Sequence, residues 1–165
     1  GNLMKNELHT NDIEKKLYDY AIRLLARGEK TALQLTTKLN QKLIVLKQPA
    51  APEIIHQIIS KITEAGWLSE KRFVHAFART KINQKVGPVK ILYELSQKGL
   101  SDKQVNAYLE DCEAWQETDW VAHAVQVLTR KFSDDKDKQV AWPKKANYLQ
   151  SKGYTSEQIR QALKA

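Results

Sequence analysis

Two groups of lysine and arginine side chains are the residues of this sequence best suited to chemistry. The first is Arg72, Arg79, Lys81, Lys85, Lys90 and Lys98. The second is Arg130, Lys131, Lys144, Lys145 and Lys152, with Lys136 and Lys138 in the stretch between them. Ammonium and guanidinium groups donate charge-assisted hydrogen bonds, so the chemistry on offer is contact with phosphate or carboxylate oxygens. Arg72 and Arg79 are seven residues apart, which sets both on one face of a helix. Residues 79–103 hold six basic side chains against two acidic ones. Lys90 and Lys144, like Lys98 and Lys152, stand 54 residues apart. That common interval separates them from lysines that only solubilise a surface.

Other chemistries find no support. His9, His56, His75 and His123 are scattered, and none lies three or four residues from another histidine or a cysteine, as a zinc site would need. Gly28, Gly66, Gly87, Gly99 and Gly153 fall between periodic stretches and form no glycine-rich phosphate loop. Asp134, Asp135 and Asp137 alternate with Lys136 and Lys138, the composition of a solvated connector. Cys112 is the only cysteine, so no intrachain disulfide forms, which fits a reducing, cytoplasmic setting. It reads as a small packed side chain. No nucleophile–base arrangement is legible, so neither enzyme activity nor a metal or cofactor is expected. No apolar run is long enough to cross a membrane, and the first residues lack the pattern of a secretory leader.

The net charge of +8 favours an acidic partner. It is spread along the chain, +3 over 1–66, +2 over 67–113 and +3 over 114–165, so no single basic arm carries it.

The elements that must position these cations are helices. The few glycines and prolines fall between stretches of helical period, and no strand alternation appears. Residues 12–27 put Ile13, Leu17, Tyr20, Ala21, Leu24 and Leu25 on one stripe, with Asp12 as N-cap and Gly28 as stop. "TALQ" at 31–34 has capping-box form, and a second helix follows to about Lys42. "LIVLKQPAAP" at 43–52 predicts a loop whose apolar residues fold back on the core. Ile54, Ile55, Ile58, Ile59 and Ile62 mark a third helix, ended by Gly66.

Ser69 caps the next helix, with Phe73, Phe77 and Ile82 on one side. Gly87 and Pro88 break and restart the chain. Leu92 and Leu95 carry a helix to Lys98, Gly99 ends it, and Ser101 with Gln104 caps another. Thr118 or Asp119 starts a helix through Trp120, Ala124, Val127 and Leu128. A further helix holds Ala146 and Leu149 and ends at Gly153, and Thr155 with Gln158 caps the last. Phe73, Phe77, Trp67 and Trp120 read as core, with Trp67 plugging a junction. Trp142, beside Pro143, falls outside any stripe.

"LSQKGLSDKQVNAYL" at 95–109 and "LQSKGYTSEQIRQAL" at 149–163 repeat one design without a gap. The expected fold is all-α: three tandem three-helix, helix-turn-helix-like repeats packed into an elongated, curved molecule. The repeats span 12–66, with a loop insertion at 43–52, then 67–114 and 115–165. One such unit has too little core to stand alone.

The sequence resembles the RecX family of RecA regulators. "AIRLLARGEKTALQLTTKL", "ITEAGWLSEKRFVHAFARTKI", "GPVKILYELSQKGLS", "DW" at 119–120, "LTRKF" at 128–132 and "LQSKGYTSEQI" carry the likeness, in the family's order. The Gly87-Pro88 element with its basic helix and Lys98-Gly99 turn is the most specific of them. The resemblance implies a non-enzymatic cytoplasmic protein, monomeric and away from membranes. It would bind the RecA–single-stranded DNA filament in its groove, inhibit recombinase, ATPase and co-protease activities, and touch single-stranded DNA weakly and without sequence preference. The residues alone leave another reading open: a direct DNA-binding helix-turn-helix protein, marked by sequence-selective duplex binding without RecA.

Overall fold

Half of the helix starts among the described residues are fixed by a side-chain cap within one turn. In the computed structural model, which describes residues 9–134 and 139–165, Gln34 N–H donates to Thr31 Oγ1 and Thr31 N–H to Gln34 Oε1, both at 3.1 Å. Ser101 with Gln104 and Thr155 with Gln158 close the same reciprocal pair. Asp119 Oδ1 accepts from Ala122 N–H at 3.0 Å, and Ser69 Oγ from Arg72 N–H at 3.2 Å. Each such cap is worth about 1 kcal/mol.

Ten helices and no strand occur among the described residues. They are α1 Thr10–Arg27, α2 Ala32–Val45, α3 Pro52–Glu64, α4 Glu70–Asn83, α5 Pro88–Ser96, α6 Asp102–Glu110, α7 Glu113–Gln116, α8 Trp120–Lys131, α9 Trp142–Ser151 and α10 Ser156–Lys164. The connector residues 135–138, with Lys136, Lys138, Asp135 and Asp137, lie outside the described residues. The chain divides into two compact units, Gly1–Phe73 and Val74–Ala165.

In the first unit α1, α2 and α3 pack on one another through Leu17, Ala21, Leu35, Leu39, Ile58 and Ile62, all fully buried. Burial of each large aliphatic side chain contributes about 1.5–3 kcal/mol. Leu68 closes this core. The Glu70 carboxylate accepts from Ala32 N–H at 3.1 Å, adding an acceptor at the start of α2. Arg72 ties down the Gly66 turn: its guanidinium donates to Glu29 Oε1 at 3.0 Å, the Gly66 carbonyl at 2.7 Å and the Trp67 carbonyl at 3.2 Å.

In the second unit Val74, Ala78, Ile91 and Leu95 are fully buried. Ala124, Val127, Leu149, Tyr154, Ile159 and Ala162 form a second cluster, where α8, α9 and α10 pack mutually. Trp120 packs against that cluster and meets Trp115 edge-on, with ring centroids 5.0 Å apart. Cys112 is buried between α6 and α7.

Several expectations need correction. α1 starts at Thr10, two residues before Asp12, with His9 in the cap position and no side-chain cap. Residues 43–45 are helix, not loop, because α2 continues to Val45 before Lys47 turns the chain with φ 55°. Leu43 is buried as the helical stripe requires, but Ile44 and Val45 are 75 % and 72 % exposed and do not fold back. Trp67 is 54 % exposed and so is not a core residue. In α5 the inward residues are Ile91 and Leu95, whereas Leu92 faces solvent at the helical spacing that Ile91 forces. The four-residue α7 was not foreseen; it follows Cys112 and carries Trp115.

Candidate nucleic-acid interface

The site begins with how helices end. At the end of α4 Val86 N–H donates to the Lys81 carbonyl at 3.0 Å and Lys85 N–H to the Ile82 carbonyl at 2.9 Å. This is a Schellman motif, whose penultimate residue takes the left-handed conformation and is usually glycine. Gly66 fills that position after α3 with φ 83°, and Gly153 fills it after α9 with φ 98°. After α4 it is Lys85, with φ 62°. A left-handed residue with a Cβ costs roughly 1 kcal/mol, so the chain keeps a lysine where glycine would be the more stable choice.

The Lys85 turn is pinned from the other side of the second unit. Gly87 N–H donates to the Lys152 carbonyl at 2.7 Å and Val89 N–H to the Gly153 carbonyl at 2.8 Å. The Tyr154 hydroxyl donates to the Lys85 carbonyl at 2.6 Å. Burial pushes the Tyr154 phenol up to about 12, so it remains a donor throughout the neutral range. Lys85 and Lys152, 67 positions apart in sequence, are thereby held at one place.

That place is a cleft of about 400 Å³, lined by Gln84, Lys85, Gln126, Val127, Arg130, Lys131, Tyr148 and Lys152. Four of these side chains are cations, and no carboxylate lines the cleft among the described residues. Lys131 Nζ lies 5.4 Å from the centre of the Tyr148 ring, and that ring meets Phe132 edge-on at 5.8 Å. His123 stays below its ordinary range through burial first and the Lys85 charge second, against the opposing pull of Asp119. It is therefore neutral at pH 7, and the positive charge of the cleft belongs to the lysines and the arginine.

The structure thus gathers Lys85, Arg130, Lys131 and Lys152 from the candidate cations and leaves the others apart. Lys81 and Lys98 form a second group over the Phe77 ring, at 5.4 and 5.1 Å from its centre, and Lys81 also pairs with Glu94 at 3.7 Å. Lys145 lies 5.9 Å from the centre of the Phe132 ring. Arg79, Lys90 and Lys144 are exposed on α4, α5 and α9. Arg72 is engaged in the Gly66 turn. Lys98 and Lys152, equivalent in sequence, have different surroundings: one sits over an aromatic ring, the other in the cleft.

Gln84, Gln126 and Tyr148 were not among the sequence candidates. Spacing gave a usable signal for two of them. Gln126 precedes Arg130 by four residues on α8, and Tyr148 precedes Lys152 by four on α9, so each shares a helix face with a basic partner. The first unit has its own cation–aromatic cluster, with Lys42 Nζ 5.0 Å and the Arg23 guanidinium 6.0 Å from the Tyr20 ring centre.

Comparison with known proteins agrees with this architecture. Residues 69–109 match the model of the second three-helix domain of RecX, and residues 117–163 that of the third. The chain is 36 % identical over 149 residues to the regulatory protein RecX of Halorhodospira halophila, spanning 89 % of this chain and 86 % of that protein. It is 32 % identical over 148 residues to the regulatory protein RecX of Pseudomonas fluorescens, spanning 87 % and 86 %. Its fold is similar to the crystal structure of RecX from Lactobacillus salivarius, with a TM-score of 0.74 and 23 % identity over 93 % of this chain and 96 % of that one. On the two matched domains and 36 % identity over 89 % of its length, this chain belongs to the RecX family of regulatory proteins.

Proposed function

We propose that this protein binds the RecA–single-stranded DNA filament in its groove and thereby inhibits strand exchange, ATP hydrolysis and co-protease activity. The observation that carries this reading is the 36 % identity to a regulatory protein RecX over nearly the whole chain. Physical support comes from the net charge of +8 and from the basic residues gathered in the second unit. A filament groove presents phosphates and acidic protein surface, and cations of this kind recognise both. The protein acts in the cytoplasm as a monomer, and its division into repeats at 12–66, 67–114 and 115–165 belongs to the same reading. Its intrinsic contact with single-stranded DNA is weak and indifferent to sequence.

Co-sedimentation tests the binding step. The chain should pellet with RecA filaments assembled on single-stranded DNA, and adding it should slow strand exchange. A chain that stays in the supernatant at every ratio would contradict the proposal.

A further inference from the structure

The cleft of the second unit has more positive charge than its helix ends require. Its cations come from the C-terminal ends of three helices: Lys85 just after α4, Arg130 and Lys131 in the last turn of α8, and Lys152 capping α9. Basic residues at such ends balance the negative pole of the helix dipole, and this alone accounts for some of them. Each pole is equivalent to about −0.5 charge, so three poles amount to about −1.5 against four cations. A positive charge of about +2.5 is left over. Within the second unit no carboxylate lines the cleft among the described residues to neutralise it.

We infer that this cleft is a phosphate site, built for the oxyanions of a nucleotide chain and holding two negative charges at once. Two adjacent phosphodiesters of a single strand meet that requirement, as does the polyphosphate of a free nucleotide. The lining supplies the remaining needs of such a ligand. Gln84 and Gln126 offer amide donors, and Tyr148 offers a hydroxyl. Lys85 is kept in the left-handed conformation that glycine would adopt without strain, and backbone strain of this kind collects at functional positions. The Tyr154 hydroxyl and the Gly87–Lys152 hydrogen bond hold the two sides of the cleft in register, so the site is preorganised. The inference rests on the reading that this surface meets a nucleoprotein filament, and it specifies which residues meet phosphate.

The test needs no RecA, so its failure is separate from failure of the function proposed above. The isotopically labelled full chain is titrated with tripolyphosphate and, separately, with a short oligothymidylate, and amide shifts are followed. Shifts should centre on Lys85, Arg130, Lys131 and Lys152. If the oligonucleotide gives them the occupant is a strand, and if tripolyphosphate alone does it is a free nucleotide; either result supports the site. Oligothymidylate affinity is then measured for the double variant Lys85→Asn with Arg130→Gln, and for a charge-matched control, Lys16→Gln with Lys164→Gln. Asparagine tolerates the left-handed conformation, so the first variant keeps its turn. It should bind at least tenfold more weakly, and its slope of log affinity against log salt should flatten by about 1.4, or about 0.7 for each lost phosphate contact. The control should change less than twofold. Absence of shifts at the cleft with both probes, or equal loss in both variants, would overturn the inference. Melting curves run in parallel identify any variant that has lost its fold; for such a variant, the shifts in the unmutated chain decide.

Discussion

The backbones of Gly87 and Gly153 touch. Gly87 N–H donates to the carbonyl of Lys152 at 2.7 Å, and a Cβ built on Gly87 would overlap the carbonyl group of Gly153. A Cβ on Gly153 would in turn run into Lys90, whose backbone nitrogen would lie 2.8 Å away. Both glycines are therefore needed for close approach, and Gly153 also for its positive φ. Gly28 has open space where a Cβ would go.

From that contact, Gly87→Ala should destabilise the chain by about 3 kcal/mol or more, because the obstacle is backbone and cannot swing aside. Gly28→Ala should stay within about 0.5 kcal/mol of the original. Urea denaturation of the two variants checks this, and equal midpoints would show that the Gly87 contact is not close.

Lys85→Gly and Lys47→Gly should each stabilise the chain by about 1 kcal/mol, since both lysines sit at positive φ after a helix. Only the first should weaken phosphate binding. Denaturation midpoints and oligothymidylate affinity, read on the same two proteins, separate the structural effect from the functional one.

Arg72→Ala should lower stability by about 1 kcal/mol, a value kept small because the side chain is about half exposed. The loss follows from its bonds to Glu29, Gly66 and Trp67. Binding to RecA filaments should be unchanged once the variant is folded. A variant of full stability but weak binding would return Arg72 to the interface where its sequence position first put it.

Tyr154 gives a pH signature. Its folded-state value of about 12 lies above the ordinary 10, so the native state holds the phenolic proton after the unfolded state has lost it. The stability this contributes is complete below pH 10 and disappears as pH rises from about 10 to 12. Tyr154→Phe should be less stable than the original by about 1 kcal/mol at pH 8, having lost the hydrogen bond to Lys85. The gap between the two proteins should narrow above pH 10. A constant gap across that range would contradict the assignment.

Local features of this fold were legible because they are decided within a turn of chain. The capping boxes at Thr31, Ser101 and Thr155 and the left-handed glycines at 99 and 153 are of this kind. The end of α2 was not legible: Ile44 and Val45 look like core by composition, yet a helix whose stripe is Leu35, Leu39 and Leu43 must turn them outward. Lys47 and Lys85 were missed as turn residues because a lysine carries no signal for positive φ. The cations themselves could be listed from sequence, but their grouping could not. Lys85 and Lys152 reach one cleft through the Gly87–Gly153 approach and the Tyr154–Lys85 hydrogen bond, contacts across 66 and 69 positions for which the repeat pattern gives no register.

The most direct test of the account is a titration of RecA's single-stranded DNA-dependent ATP hydrolysis with the unmutated chain and with a variant lacking the cleft charges (Lys85→Asn, Arg130→Gln, Lys131→Gln, Lys152→Gln). The unmutated chain should slow hydrolysis at substoichiometric amounts, and the variant should need at least tenfold more. Hydrolysis that is unchanged by the unmutated chain at every ratio would contradict the account.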